Sequence, residues 1–152
     1  MSVIEILPVS LADVLDAPNA KALFAEYEAE CSLPELRPID PQRDIYAAME
    51  RTGAFQSFGV YVKGVLVGFA SALTYIVPHY GKRIATVESL FLAAGHRRGR
   101  TGNELLNAIE EYARKQGCIV VLYSAPAGSQ FERLLRLLKP YRHSNTVFLR
   151  SL

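Results

Sequence analysis

Between Glu88 and Asn103 the chain concentrates residue types that hold anions and move protons. Arg97, Arg98, Gly99, Arg100, Thr101, Gly102 and Asn103 form an Arg/Gly-rich turn after an apolar stretch, and a helical pattern starts at once. The free N–H groups of a helix's first turn and the helix dipole both attract negative charge. Glycine lets backbone approach a ligand closely, and guanidinium groups add charge-assisted bonds to phosphate. The combination implies a polyanion site, with a pyrophosphate as the natural fit. Glu88 offers a different chemistry. It is the only acid between Ile84 and Ala94, in an otherwise apolar, small-residue strand. A carboxylate so placed is either a general base or an edge glutamate paired with Arg83.

These residues must be positioned by a mixture of strands and helices. Residues 3–9 read as a strand. Asn19 is placed to cap a helix running to about Cys31. The segment 33–42 holds three prolines and reads as a loop. Asp44 to Arg51 reads as a short helix closed by Gly53. Phe58–Val62 and Val65–Thr74, the latter extending toward Val77, flank Lys63-Gly64 as a hairpin. Pro78–Gly81 turns the chain into a third strand, Arg83–Leu92. A helix from Thr101 or Gly102 to Gln116 shows Leu105, Leu106, Ile109, Tyr112 and Ala113 on one face, and Gly117 ends it. Cys118–Tyr123 is wholly apolar, as in a strand buried on both faces. Strand, helix, strand in this order implies a right-handed parallel crossover. Ser129 and Glu132 have capping-box spacing for a helix to about Leu138. Thr146–Arg150 reads as a last strand. The expected fold class is mixed α/β: an antiparallel meander joined to a parallel βαβ crossover.

Composition narrows the function classes. At 152 residues, half of them hydrophobic, the chain suits one domain spanning 1–152 with a real core. No apolar run approaches the roughly 18 residues of a membrane span, and the N-terminus does not read as a signal peptide. Cys31 and Cys118 lack metal-ligand spacing and read as reduced thiols of a cytoplasmic protein. His79 and His96 have no second ligand nearby, so no metal is expected. Residues 1–79 carry five Lys/Arg and ten Asp/Glu, a balance of −5; residues 80–152 carry twelve and five, a balance of +7. The basic half suits an anionic ligand and the acidic half a cationic one. Nucleic-acid binding would require a stronger basic excess and a recognisable module.

The segment VESLFLAAGHRRGRTGNELL and the order of elements around it resemble the GNAT superfamily of N-acetyltransferases, which use acetyl-coenzyme A. The family's pyrophosphate loop, Q/R-x-x-G-x-G/A, aligns with Arg97-Arg98-Gly99-Arg100-Thr101-Gly102. Arg97 and Gly102 match; Arg100 stands where the first glycine is expected, and Gly99 is displaced by one position. The resemblance implies that the turn 97–103 and Ser129 bind acetyl-CoA without a metal. It also implies a split sheet in which main-chain groups of Leu90, Phe91 and Leu92 meet the pantetheine arm. It makes Glu88 the base. An amine of pKa about 10.4 is neutral in only about 1 molecule in 2,500 at pH 7, a handicap of about 4.6 kcal/mol that a base relieves.

The family's late pattern, N-x-x-A-x-x-x-Y, departs here. Ser129 takes the Asn position, Glu132 the Ala position and Arg136 the Tyr position. Tyr141 or Tyr123 is then the candidate acid that protonates the leaving thiolate, with water as a further option. The acceptor side is expected at Tyr27, Glu28, Glu30, His79 and Tyr80, for an amine of cationic character on a small molecule or a protein. The departures leave a second reading, a CoA-binding or regulatory module with the same fold and weakened catalysis. The apolar C-terminal strand either pairs with a second subunit, giving a homodimer, or completes its own sheet.

Overall fold

The computed structural model describes residues 3–152. Its frame is one five-stranded sheet in the order β1-β2-β3-β4-β5. The strands are β1 (Ile4–Val9), β2 (Phe55–Val62), β3 (Val65–Val77), β4 (Lys82–Leu92) and β5 (Val121–Leu122). The first four pair antiparallel in sequence order, and β5 pairs parallel to β4. Lys63 and Gly64 both take positive φ, 51° and 76°, as a two-residue hairpin between β2 and β3 requires.

Helices cover both faces. α1 (Leu11–Leu15), α2 (Ala20–Cys31) and α3 (Arg43–Arg51) lie between β1 and β2 in the chain; α4 (Thr101–Lys115) links β4 to β5; α5 (Gln130–Leu137) follows β5. α4 presents Leu105 and Ile109 to Phe58, Val60, Ala70, Ala72 and Leu92, and both helix residues are fully buried. The opposite face packs Leu23 of α2 and Val14 of α1 on Leu66, Phe69 and Phe91. Alternation along the strands sorts side chains between these layers.

Several expectations are met and several corrected. β4, α3, α4 and α5 fall close to their predicted spans. Gly117, at φ 79°, ends α4. Asn19 does not cap α2; its amide donates to the Leu66 carbonyl at 2.7 Å and ties the helix start to β3. α1 was not expected, although Ser10 and Asp13 carry its capping box. Ser129 caps α5 as expected, accepting from Glu132 N, but the Glu132 carboxylate accepts from Gly128 rather than from the cap residue.

The predicted strand Cys118–Tyr123 shrinks to two residues, and Ile119, Val120 and Leu122 are 64%, 46% and 43% exposed. The physical reason is its place at the sheet edge, where only β4 pairs with it. The predicted last strand at Thr146–Arg150 does not form. Among the described residues that segment joins no strand, and Val147 and Phe148 are exposed. A β-prone sequence becomes a strand only when an edge accepts it.

The α4 packing is testable. Ile109→Ala removes a fully buried side chain from the main core and is expected to lower stability by about 2–5 kcal/mol in chemical denaturation. A loss below about 1 kcal/mol would show that α4 is not packed on the sheet.

Candidate active site

Two features of β4 create the site. First, β5 pairs only with Ala85 and Thr86, so β4 from Val87 to Leu92 has no strand on that edge. Ala93 N donates to Val67 O across β3, which turns the peptide groups of Phe91 toward β3 and those of Leu90 and Leu92 toward the open edge. The sheet therefore splits where the resemblance implied. Leu90 and Leu92 offer backbone groups there, while Phe91 contributes a buried side chain on the α2 face.

Second, β4 is bulged. Ser71 pairs with Ser89 and Ala72 with Val87, so Glu88 is the extra residue. Val87 and Leu90 both pack toward α4, leaving Glu88 and Ser89 together on the face of α2 and α3. In a regular strand one of them would be turned into the α4 core. Instead the Glu88 carboxylate is exposed and accepts two hydroxyls. Tyr46 of α3 donates to Oε1 and Ser71 of β3 donates to Oε2, the latter at 3.0 Å. Since Ser71 has one proton and gives it to Glu88, Ser89 must supply the proton of the 2.6 Å Ser71–Ser89 bond. Ser57, Ser71 and Ser89 lie in register across three strands beneath this carboxylate.

The loop after β4 leads to the start of α4. Gly99 has φ 81°, and Arg100 sits at the helix cap with φ −95° and ψ −5°. The displaced glycine thus takes the left-handed residue of the turn, and Arg100 needs no such freedom. No side chain caps α4, so its first N–H groups face outward from Thr101, Gly102 and Asn103. Among the described residues Arg98 and Arg100 have no carboxylate partner. Arg100 stands between two hollows. One, of ≈ 260 Å³, runs past Asn103 to Leu138, Pro140 and Tyr141; the other, of ≈ 370 Å³, is lined by Ile4, Arg98, Gly99, Arg100, Thr101 and Glu104. The charges and free donors fit a polyphosphate group.

The remaining candidates are placed more unevenly. Arg97 is already engaged: Nε donates to Leu92 O at 2.7 Å, Nη2 pairs with Glu30 at 2.5 Å, and the guanidinium lies over Phe91 at 5.5 Å. It clamps the loop to α2. Tyr27 packs edge-on against Phe69 and Phe91, and burial, followed by the charges of Cys31 and Glu88, pushes its hydroxyl up to about 12. Its ring belongs to the core and its hydroxyl to the surroundings of Glu88. Glu28 Oε1 accepts from Ile39 N at 3.3 Å and fastens the proline-rich loop. His79 and Tyr80 meet edge to face at the β3–β4 turn, and Tyr80 is largely exposed. Six residues of strand, about 20 Å, separate that turn from Glu88.

Tyr123 and Tyr141 both donate to Glu110 Oε1 of α4, at 3.0 and 2.6 Å. Burial first, and then Glu110, raise both hydroxyls above the usual tyrosine range. They stand on the α4 side, whereas Glu88 faces α2 and α3. Tyr46, Ser71 and Ser89 escaped the sequence reading because no spacing connects them; only the bulge does. Among the described residues no group of three or more His, Cys, Asp or Glu is arranged to hold a metal, and no helix is long and apolar enough to cross a membrane.

A five-stranded mixed sheet with helices on both faces carries this site. Solved N-acetyltransferase structures share the fold. A ribosomal-protein-alanine N-acetyltransferase from Brucella melitensis biovar Abortus 2308 is 19% identical, covers 99% of both chains and has a TM-score of 0.68. An aminoglycoside acetyltransferase from an uncultured soil metagenomic sample is 17% identical, covers 98% of this chain and 95% of its own, and scores 0.74. An aminoglycoside N-acetyltransferase in complex with CoA is 15% identical, covers 99% and 96%, and scores 0.68. No curated protein matches by sequence. The model of the acetyltransferase (GNAT) family matches residues 20–136, and the chain belongs to that family. It is an acyltransferase.

The site gives an alkaline signature. Tyr27 ionises near 10 in the unfolded chain and near 12 in the fold. The unfolded state releases this proton first, so its contribution to stability is complete below pH 10 and is lost as pH rises to 12. A phenolate absorbance titration is expected to contain a component near 12 that Tyr27→Phe lacks. Ionisation of all tyrosines near 10 would show that the α2 layer does not enclose this ring.

Proposed function

We propose that the protein transfers an acetyl group from acetyl-CoA to a primary amine by direct attack, with Glu88 as general base. The bulge that raises Glu88 beside the open edge of β4 carries this reading. Acetyl-CoA supplies an activated thioester carbonyl. Arg98, Arg100 and the free N–H groups of 101–103 bind its phosphates. Leu90 and the Leu92 N–H offer peptide groups for the pantetheine arm on the edge that β5 leaves open, the Leu92 carbonyl being engaged by Arg97. Thr101 is buried and contributes backbone rather than side chain.

The acceptor enters from the opposite side, between α2, α3 and β4. An ammonium group is drawn to the Glu88 carboxylate, with Tyr27 and Tyr46 beside it. Each carboxylate oxygen has two lone pairs and gives one to a hydroxyl, so each can still accept a proton. Glu88 removes the amine proton, directly or through water, and so relieves the protonation handicap of the acceptor; the freed amine forms the C–N bond, the C–S bond breaks, and CoA leaves as a thiolate that takes its proton from water. The rigid turn at Gly99 and the Arg97 clamp fix the phosphate site relative to that base. The acceptor class we favour is cationic: a polyamine, an aminoglycoside or a protein amine.

Three probe acceptors test this: spermidine, sisomicin, and a peptide with an N-terminal alanine and an internal lysine. Thiol release from acetyl-CoA is expected with at least one. Glu88→Gln is expected to lower kcat by about 10²-fold or more while CoA affinity by calorimetry stays within twofold. Arg100→Ala is expected to weaken CoA binding about tenfold, as loss of a charge-assisted bond does. Saturable CoA binding with no turnover on any probe would instead identify a CoA-binding module; no CoA binding at high micromolar ligand would overturn the reading altogether.

A further inference from the structure

We propose that Tyr46 is a positioning residue that, together with Ser71, holds the Glu88 carboxylate in one orientation and thereby makes α3 part of the catalytic apparatus. The proposal rests on the reading of Glu88 as the base. A glutamate on an exposed stretch of strand has three free side-chain torsions, and fixing them costs conformational entropy. Glu88 is fixed from two directions. Tyr46 reaches Oε1 from a helix, and Ser71 reaches Oε2 from the neighbouring strand. Ser71 is itself only 1% exposed and is held in place by its bond to Ser89. A base oriented in this way presents its remaining lone pairs in a constant direction, which proton abstraction requires.

The Tyr46 ring is placed independently of this bond. It packs on Phe55 of β2 with ring centroids 4.9 Å apart. Phe55 is buried and begins the strand immediately after α3. The hydroxyl is therefore delivered by a packed ring rather than by a mobile side chain. Burial, followed by the bond to Glu88, raises the Tyr46 hydroxyl well above the usual tyrosine range. It stays protonated and remains a donor.

A consequence for the acceptor follows. α3 is joined to α2 through the proline-rich loop 33–42, which Glu28 anchors at Ile39. The loop thus links α2, in the wall on the acceptor side, to the helix that carries Tyr46. A residue that only packed the wall would tolerate loss of its hydroxyl; a residue that orients the base would not.

Tyr46→Phe keeps the ring and removes the donor. With whichever of the three probe acceptors turns over fastest, it is expected to lower kcat about tenfold and leave KM for acetyl-CoA within twofold. In a Glu88→Gln background the same change is expected to alter kcat less than twofold, because Tyr46 acts through Glu88. Ser71→Ala, which removes the donor from the strand side, is expected to show the same dependence on Glu88. Full activity of Tyr46→Phe overturns the proposal and leaves Glu88 as the base. An equal loss in both backgrounds also overturns it, placing Tyr46 in direct contact with the acceptor. Full activity of Glu88→Gln, or no turnover with any probe, overturns the base reading and this proposal together. Melting temperatures of all variants, measured in parallel, separate a loss of orientation from a loss of fold.

Discussion

One extra residue in β4 governs the geometry of this molecule. Strand pairing alternates side chains between two faces, so a regular β4 running from Ala85 to Leu92 could not place both Glu88 and Ser89 opposite the α4 core. The bulge breaks that alternation once. Before it, Ala85 and Val87 face α4; after it, Leu90 and Leu92 do. The core against α4 therefore continues unbroken while two polar residues are left on the other side. The buried hydroxyl of Ser71 is satisfied by the half-buried Ser89 and by the carboxylate.

The two ends of β4 serve different partners because its two neighbours behave differently. β3 pairs with β4 along nearly its whole length and gives it rigidity. β5 pairs with two residues and then departs. An unpaired edge normally invites adventitious pairing. Here the loop 93–100 and α4 lie beside it, and the Arg97 clamp ties the beginning of that loop to α2. The arginine that resembles a phosphate ligand in the sequence is thus occupied with structure. Arg98 and Arg100, whose pattern fit is poorer, are the free charges. A second clamp acts on the far side: Glu110 gathers Tyr123 and Tyr141 and holds the segment after α5 against α4.

Much of this was legible in the residues themselves. The α4 face was readable because Leu105, Ile109 and Ala113 recur at helical spacing and all become buried. The β2–β3 turn was readable because Lys63-Gly64 can adopt the two positive φ angles required. Glu88 stood out because an acid in an apolar strand needs a reason. The C-terminal segment failed for the converse reason. Val147, Phe148 and Leu149 have high strand propensity, yet propensity supplies no partner, and among the described residues the segment joins no strand. Asn19 failed because a residue suited to capping found a stronger engagement with a carbonyl 47 positions away.

The sequence by itself determined the class of fold, the family resemblance, the anion-attracting turn and the identity of the one acid in β4. These depend on local propensity, periodicity and short spacing, all of which are written in consecutive residues. Only the tertiary structure decided which face Glu88 occupies, because a bulge is a mismatch between two strands and belongs to neither alone. It also decided that Arg97 is bound to Glu30 and Phe91, and that Tyr46 and Ser71 converge on Glu88 from 42 and 17 residues away. Such contacts follow from how helices and strands pack across long sequence separations, and no local pattern encodes them.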